Sequence, residues 1–164
     1  MPNALVIGTD HAFQRHQDVS AKNAAKRTAY TEFLSASLEA RNVDGLAEEA
    51  GDDREVWEYL KSQELAIPAE LRALFAETDI VDGPQPTIAR SLTNSRGVKY
   101  GDVRAKDAHN MTISERDEYM ACETHRLFGD ARSVLVVVGE QHRAEVARIL
   151  DEKYGWTTDV ASFL

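Results

Sequence analysis

Ser133-Val134-Leu135-Val136-Val137-Val138-Gly139, followed at once by Glu140-Gln141-His142, is the stretch on which the architecture turns. Its apolar residues run without polar alternation, so a strand here is covered on both faces, as in the middle of a parallel sheet. Ala4-Leu5-Val6-Ile7 has the same character and stops at Gly8-Thr9-Asp10-His11. Parallel strands need long crossovers, and the sequence between these two supplies helices to make them. Lys22 to Arg41 carries Tyr30, Phe33, Leu34 and Leu38 on one helical stripe.

Outward from these strands the remaining elements follow. Asn42 to Ala50 is predicted as a second strand ending at Glu48-Glu49, and Val98 to Val103 as a third. Between them, Val56–Gln63 and Pro68–Glu77 are predicted helices, and Asp82-Gly83-Pro84-Gln85-Pro86 a turn. Thr87 to Arg96 is a short helix stopped by Gly97, so 51–97 reads as a helical, insertion-like segment over the sheet edge. Thr112-Ile113-Ser114-Glu115 fits a capping box for a helix from Ser114 to Phe128, with Gly129 as its stop. Gln141 to Tyr154 is amphipathic and closed by Gly155, and Trp156 to Leu164 adds a last strand. The expectation is one α/β domain over 1–164, with a mostly parallel central sheet of about four to five strands flanked by helices.

A chain of 164 residues is one domain's worth. Its 28 acidic and 19 basic residues give a formal charge of −9. That disfavours nucleic acid as a partner, since phosphate contacts need a basic face. Cys122 is the one cysteine, which excludes an internal disulfide and a cysteine zinc site; it is expected to be a buried, inert, small apolar residue. With no apolar run long enough for a bilayer and no leader-like start, a cytoplasmic protein without membrane partners is expected.

In a parallel sheet the strand ends share a carboxyl edge, where ligands bind in open α/β folds. In order, that edge receives Asp10 and His11, then Glu48 and Glu49, then Arg104, Asp107 and His109, then Glu140 and His142; Arg116 lies in the first turn of the helix after the third strand. A His beside a carboxylate is a general base for water near neutral pH. Two imidazoles with carboxylates equally suit a divalent metal with a position open to water. Arg116, and the N–H groups of a helix starting near Gln141, suit an oxyanion, phosphate or carboxylate.

Plainer roles compete. A His at a strand end can be a surface or capping residue, Glu48-Glu49 a solvated terminus, and Arg116 a surface partner of Asp117 or Glu115. Alternate strand residues point to opposite faces, so only one of Glu48 and Glu49 is expected to face a given ligand. His125 is expected to be structural or exposed, and His16 does not share a helical face with His11. The dinucleotide and phosphate-loop glycine patterns, His-Glu-x-x-His and Gly-x-Ser-x-Gly are absent.

Gly8-Thr9-Asp10-His11 and Gly139-Glu140-Gln141-His142 both read Gly-x-x-His. With Glu48-Glu49 ending the second strand and Glu115-Arg116-Asp117 opening the helix before the second motif, the chain resembles the TraB/TIKI and erythromycin-esterase-like superfamily, as a minimal single-domain member. That superfamily holds metal-dependent proteases, macrolide esterases and haem-binding proteins on an α/β fold. The resemblance implies His11 as general base or metal ligand, Glu48 or Glu49 as its carboxylate partner, His142 as the second His, and Arg116 as a substrate or transition-state contact. The chain is much shorter than the larger members, leaving little room for a substrate-binding insertion.

A small hydrolase of an ester, amide or phosphoester bond is therefore expected, with a small-molecule or peptide substrate. Its site would comprise His11, Glu48, Glu49, Arg116 and His142. Should a divalent ion such as Mn, Zn or Co take part, His11, Glu49 and His142 would hold it. The alternative is a non-catalytic module binding a metal, haem or small anionic ligand in the same cleft, haem being the lesser expectation.

Overall fold

The strands are β1 (Asn3–Thr9), β2 (Gly45–Glu48), β3 (Lys99–Asp102), β4 (Ser133–Gly139) and β5 (Thr157–Phe163). The helices among the described residues are α1 (Ala21–Ala40), α2 (Ile88–Arg96), α3 (Ile113–Phe128) and α4 (Arg143–Tyr154). These come from a computed structural model that describes residues 1–14, 21–50 and 87–164. The helices expected over Val56–Gln63 and Pro68–Glu77, and the turn at Asp82–Pro86, lie outside the described residues, as does His16.

The sheet has five strands in the order β3-β2-β4-β1-β5, and every pairing is parallel. The fold is α/β. The continuous apolar run of β4 sits at the centre, between β2 and β1, with Val134 to Val138 wholly buried. Side chains alternate between two cores. Leu5, Ile7, Leu46, Leu135 and Val137 pack with Tyr30, Leu34 and Leu38 of α1 and with Ile88 and Ala89 of α2. Ala4, Val6, Ala47, Val134, Val136 and Val138 pack on the other face with Met120 and Phe128 of α3 and Val146, Ile149 and Leu150 of α4. Fully burying each larger aliphatic side chain stabilises by roughly 1.5–3 kcal/mol, so these two layers are the main source of cohesion.

This arrangement creates a switch point. From β1 the chain leaves by α1, over one face, towards β2; from β4 it leaves by α4, over the other face, towards β5. β1 and β4 are neighbours, so their carboxyl ends diverge and open a crevice between them, the place where open α/β sheets bind ligands.

Several boundaries differ from expectation. β2 starts at Gly45 rather than Asn42, because Asn42 takes a positive φ of 48° to close α1. The N–H groups of Asn42 and Val43 there satisfy the carbonyls of Glu39 and Leu38. α4 starts at Arg143, two residues late, because Glu140–His142 form a tight 3-10 turn. Thr112 and Glu115 do form the reciprocal capping box, although the helix opens at Ile113. Cys122 is exposed, not buried: it lies off the buried α3 stripe of Asp117, Met120, Ala121, Thr124 and Phe128. His125 is half-buried, stacks on Tyr154 and accepts the Trp156 indole N–H at 3.1 Å, a structural role. Among the described residues no helix is long and apolar enough to cross a membrane.

Candidate active site

Glu49 continues β2 by one residue, its N–H bonded to the Val137 carbonyl of β4 at 2.8 Å. The two carboxylates that end this strand therefore diverge. Glu49 turns towards the crevice between β1 and β4, and Glu48 towards the opposite side. Glu48 is wholly buried and accepts hydrogen bonds from Thr87 Oγ1 at 2.5 Å, Tyr100 OH at 2.6 Å and Gln14 Nε2 at 3.0 Å. Burial beside that carboxylate raises the Tyr100 phenol above its ordinary range, keeping it a donor.

Three strand ends meet at Glu49. His11, in the 3-10 turn after β1, places Nε2 3.4 Å from Glu49 Oε1, and His142, in the turn after β4, places Nε2 3.6 Å from Glu49 Oε2. The Gly139 N–H donates to Glu49 Oε1 at 2.8 Å. The other ring nitrogen of each His is fixed by an oxygen. His142 Nδ1 donates to Asp117 Oδ1 at 2.6 Å, and His11 Nδ1 donates to Gln14 Oε1 at 2.5 Å. The Gln14 amide has a single sensible orientation, because its Nε2 serves both Glu48 Oε2 and the Glu49 carbonyl. Glu48 thus reaches the site indirectly, through Gln14. With Nδ1 as the donor, each neutral imidazole leaves Nε2 as an acceptor near the Glu49 carboxylate, and that of His142 accepts from the Gln141 amide at 3.3 Å.

The His11 Nε2 beside a carboxylate calls for positive charge between them. A proton supplies it at His11, whose pKa is raised chiefly by Glu49, against the effect of burial. For Glu49, burial acts upwards but is outweighed by the bonds from His11 and Gly139, and its pKa is lowered. Burial raises the pKa of Asp117, its bond to His142 acting the other way.

A divalent ion is the other source of charge. Bonds of about 2.0–2.1 Å in a tetrahedral zinc site put neighbouring ligand atoms about 3.3–3.4 Å apart, close to the two Nε2–carboxylate separations here. The Asp117–His142 contact is the carboxylate–imidazole pairing that orients metal ligands. Among the described residues no three His, Cys, Asp or Glu side chains stand where they could hold a metal ion, and His11, like Glu49 and His142, is tied in place, through Gln14.

The glycines of the two Gly-x-x-His motifs have a steric cause. A Cβ on Gly139 would stand 3.1 Å from His11 Nε2, 3.3 Å from Glu49 Oε1 and 3.5 Å from His142 Cδ2, in the middle of the site. A Cβ on Gly8 would overlap the Glu140 carboxylate.

Arg116 is not a surface partner of Asp117 or Glu115: Asp117 holds His142, and Glu115 caps the Thr112 N–H. Its Nε donates to the Ala108 carbonyl at 2.8 Å, and its side chain lines a narrow cleft with Glu49, Arg104 and Tyr119. Asp10, Asp107 and His109 are exposed, and Glu140 turns away to Ser162 and Arg143. Sequence reading missed Gln14 and Asp117. The signal for Asp117 was present, since it is a carboxylate on an otherwise apolar or small helical stripe. Compared with protein-family models, curated proteins and solved structures, the chain matches none of them.

Proposed function

We propose that this chain is a small hydrolase that activates water where His11, Glu49 and His142 converge. One observation carries the reading: two imidazoles, each tautomerically fixed through Nδ1, direct Nε2 at the same buried carboxylate. In the proposed reaction His11 is the general base. It is the exposed member of the group and takes the water proton at Nε2. The imidazolium so formed faces Glu49, which stabilises it. His142, locked by Asp117, holds the far side of Glu49 and keeps that carboxylate aimed. Arg116, pinned by the Ala108 carbonyl, stabilises negative charge on the substrate. A divalent ion that drew His11, Glu49 and His142 together would lower the pKa of water bound at the open position. The same reading makes the chain a minimal relation of the TraB/TIKI and erythromycin-esterase-like superfamily, supported by the spatial pairing of its two Gly-x-x-His motifs.

The near-complete burial of Glu49 and His142 favours a second reading, a binding module that retains a cation without turnover. The test separates them. p-Nitrophenyl acetate, a p-nitroanilide and p-nitrophenyl phosphate are offered with and without Mn, Zn or Co. The hydrolase reading predicts turnover of at least one, lost in His11→Ala although the fold is kept. Absence of turnover on all three, with metal-dependent thermal stabilisation that His11→Ala and His142→Ala abolish, would replace it by the binding reading.

A further inference from the structure

β5 is an outer strand of the sheet: it pairs with β1 on one side, and among the described residues no strand pairs with it on the other. Proteins protect such edges by shortness, charge, proline or a bulge. The opposite edge follows that rule, since β3 has four residues and two of them are Lys99 and Asp102. β5 does not. It runs for seven residues, Thr157-Thr158-Asp159-Val160-Ala161-Ser162-Phe163, in unbroken register with β1 and without Lys, Arg or Pro. Its one charged side chain, Asp159, is held by Arg41 at 2.8 Å. Burial falls away across this strand: Val6 is wholly buried, whereas Val160, its neighbour in register, is 54% exposed.

The main chain shows which groups look outward. The Thr157 N–H donates to the Pro2 carbonyl at 3.1 Å, so the polar groups of Thr157 face β1. Alternation along the strand then turns those of Thr158, Val160 and Ser162 away from β1. These residues are symmetric about Val160. An antiparallel second copy of β5, related by a two-fold axis at Val160, sets Val160 against the partner's Val160 and Thr158 against the partner's Ser162. Each outward N–H then meets a C=O. The same register puts Asp159 opposite the partner's Ala161 and Thr157 opposite the partner's Phe163, so no like charges stand face to face. A foreign peptide would be selected through its alternate side chains, and Thr158, Ala161 and Ser162 are small neighbours with little to select by. The strand is complementary to itself.

We propose that the β5 edge is an interface between two copies of this chain, joined β5 to β5 across a two-fold axis into one continuous sheet. Such an interface is isologous and closes at two subunits. The β1/β4 crevices of the two copies then open at opposite edges of the joined sheet. Neither copy completes the other's site, so the proposal is independent of the hydrolase reading.

Sedimentation equilibrium of the full chain over a dilution series reads the mass. Wild type should rise with concentration from the mass of one chain towards twice that value. With a formal charge of −9 on each copy, added salt should strengthen the association. Val160→Lys sets two ammonium groups face to face, and Val160→Pro removes the central N–H without touching the bonds to β1; both should keep the mass of one chain. Far-UV spectra identify which of the two folds, and one folded variant is enough. Cys122 is exposed, so cross-linking is done in a Cys122→Ser background. There Val160→Cys should form an intersubunit disulfide, because directly opposed Cα atoms about 5.5 Å apart lie within disulfide range. Lys99→Cys, at the β3 edge, should not.

A wild-type chain that keeps the mass of one copy throughout the series overturns the proposal. So does a dimer that persists in a folded Val160→Lys or Val160→Pro, which would place the contact elsewhere. A wild-type dimer without the Val160→Cys cross-link would exclude this register and overturn it too. Association that weakens with salt would belong to ion pairs, not to this edge, with the same consequence.

Discussion

At Gly139 an added side chain would crowd His11, Glu49 and His142 at once. Its backbone, with φ −56° and ψ 143°, is open to any residue, so the demand for glycine comes from the side chains around it. Gly139→Ala is therefore expected to fold, and to push the His11 ring off Glu49. A misplacement of about 1 Å costs up to about 10²-fold in rate, and the shift needed here is smaller. The expected result is an unchanged far-UV spectrum and thermal midpoint with kcat/KM reduced by less than that factor. Wild-type activity in Gly139→Ala would show that His11, Glu49 and His142 do not act at this point. The residue scale is also where the sequence was hardest to read. His11, Glu49 and His142 stand at strand ends and could be nominated from period and polarity alone. Gln14 could not, because its role depends on which way an amide faces, and that is set by Glu48 from another strand. Cys122 was misjudged because composition says that cysteines are buried, while its angle on α3 says otherwise.

The elements explain why Glu48 and Glu49, adjacent in sequence, have separate work. Strand alternation puts Glu48 on the α1/α2 side and Glu49 at the crevice. The Glu48 cluster ties β2 to β3 through Tyr100, to the start of α2 through Thr87, and to the turn after β1 through Gln14. Tyr100→Phe removes one charge-assisted bond from a buried carboxylate and leaves the Thr87 and Gln14 donors in place. The expected cost is about 1.5–3 kcal/mol, read as a fall in the urea midpoint with an unchanged slope. An unchanged midpoint would mean that the cluster contributes nothing to stability. Alternation itself was legible, as were the α3 capping box and the glycine stops of α2 and α4. The ends of β2 and α4 were not. At both, a local hydrogen-bonded turn competes with the regular element: the Asn42 closure of α1, and the 3-10 turn through His142. Such competition is decided by tertiary packing that periodicity does not carry.

Across the whole molecule, the site follows from the topology. An unbroken apolar run placed β4 at the centre of a parallel sheet, and crossovers over opposite faces make the chain leave β1 and β4 in opposite directions at their carboxyl ends. His11 and His142 are consequently brought together across 131 positions of sequence, and β2, on the other flank of β4, delivers Glu49 between them. The most direct test of this convergence is the titration of the histidine ring nitrogens by NMR, in metal-free wild type and in Glu49→Gln. His11 should titrate above its ordinary 6.5, because Glu49 favours its charged form. As a general base it would then be active only as pH rises through that raised value. The neutral rings of His11 and His142 should both show the proton on Nδ1. In Glu49→Gln the His11 midpoint should fall and the His142 signals should move, with those of exposed His109 unchanged. Should His11 and His142 respond to the loss of Glu49 no more than His109 does, the two imidazoles do not share that carboxylate, and the account of the site is wrong.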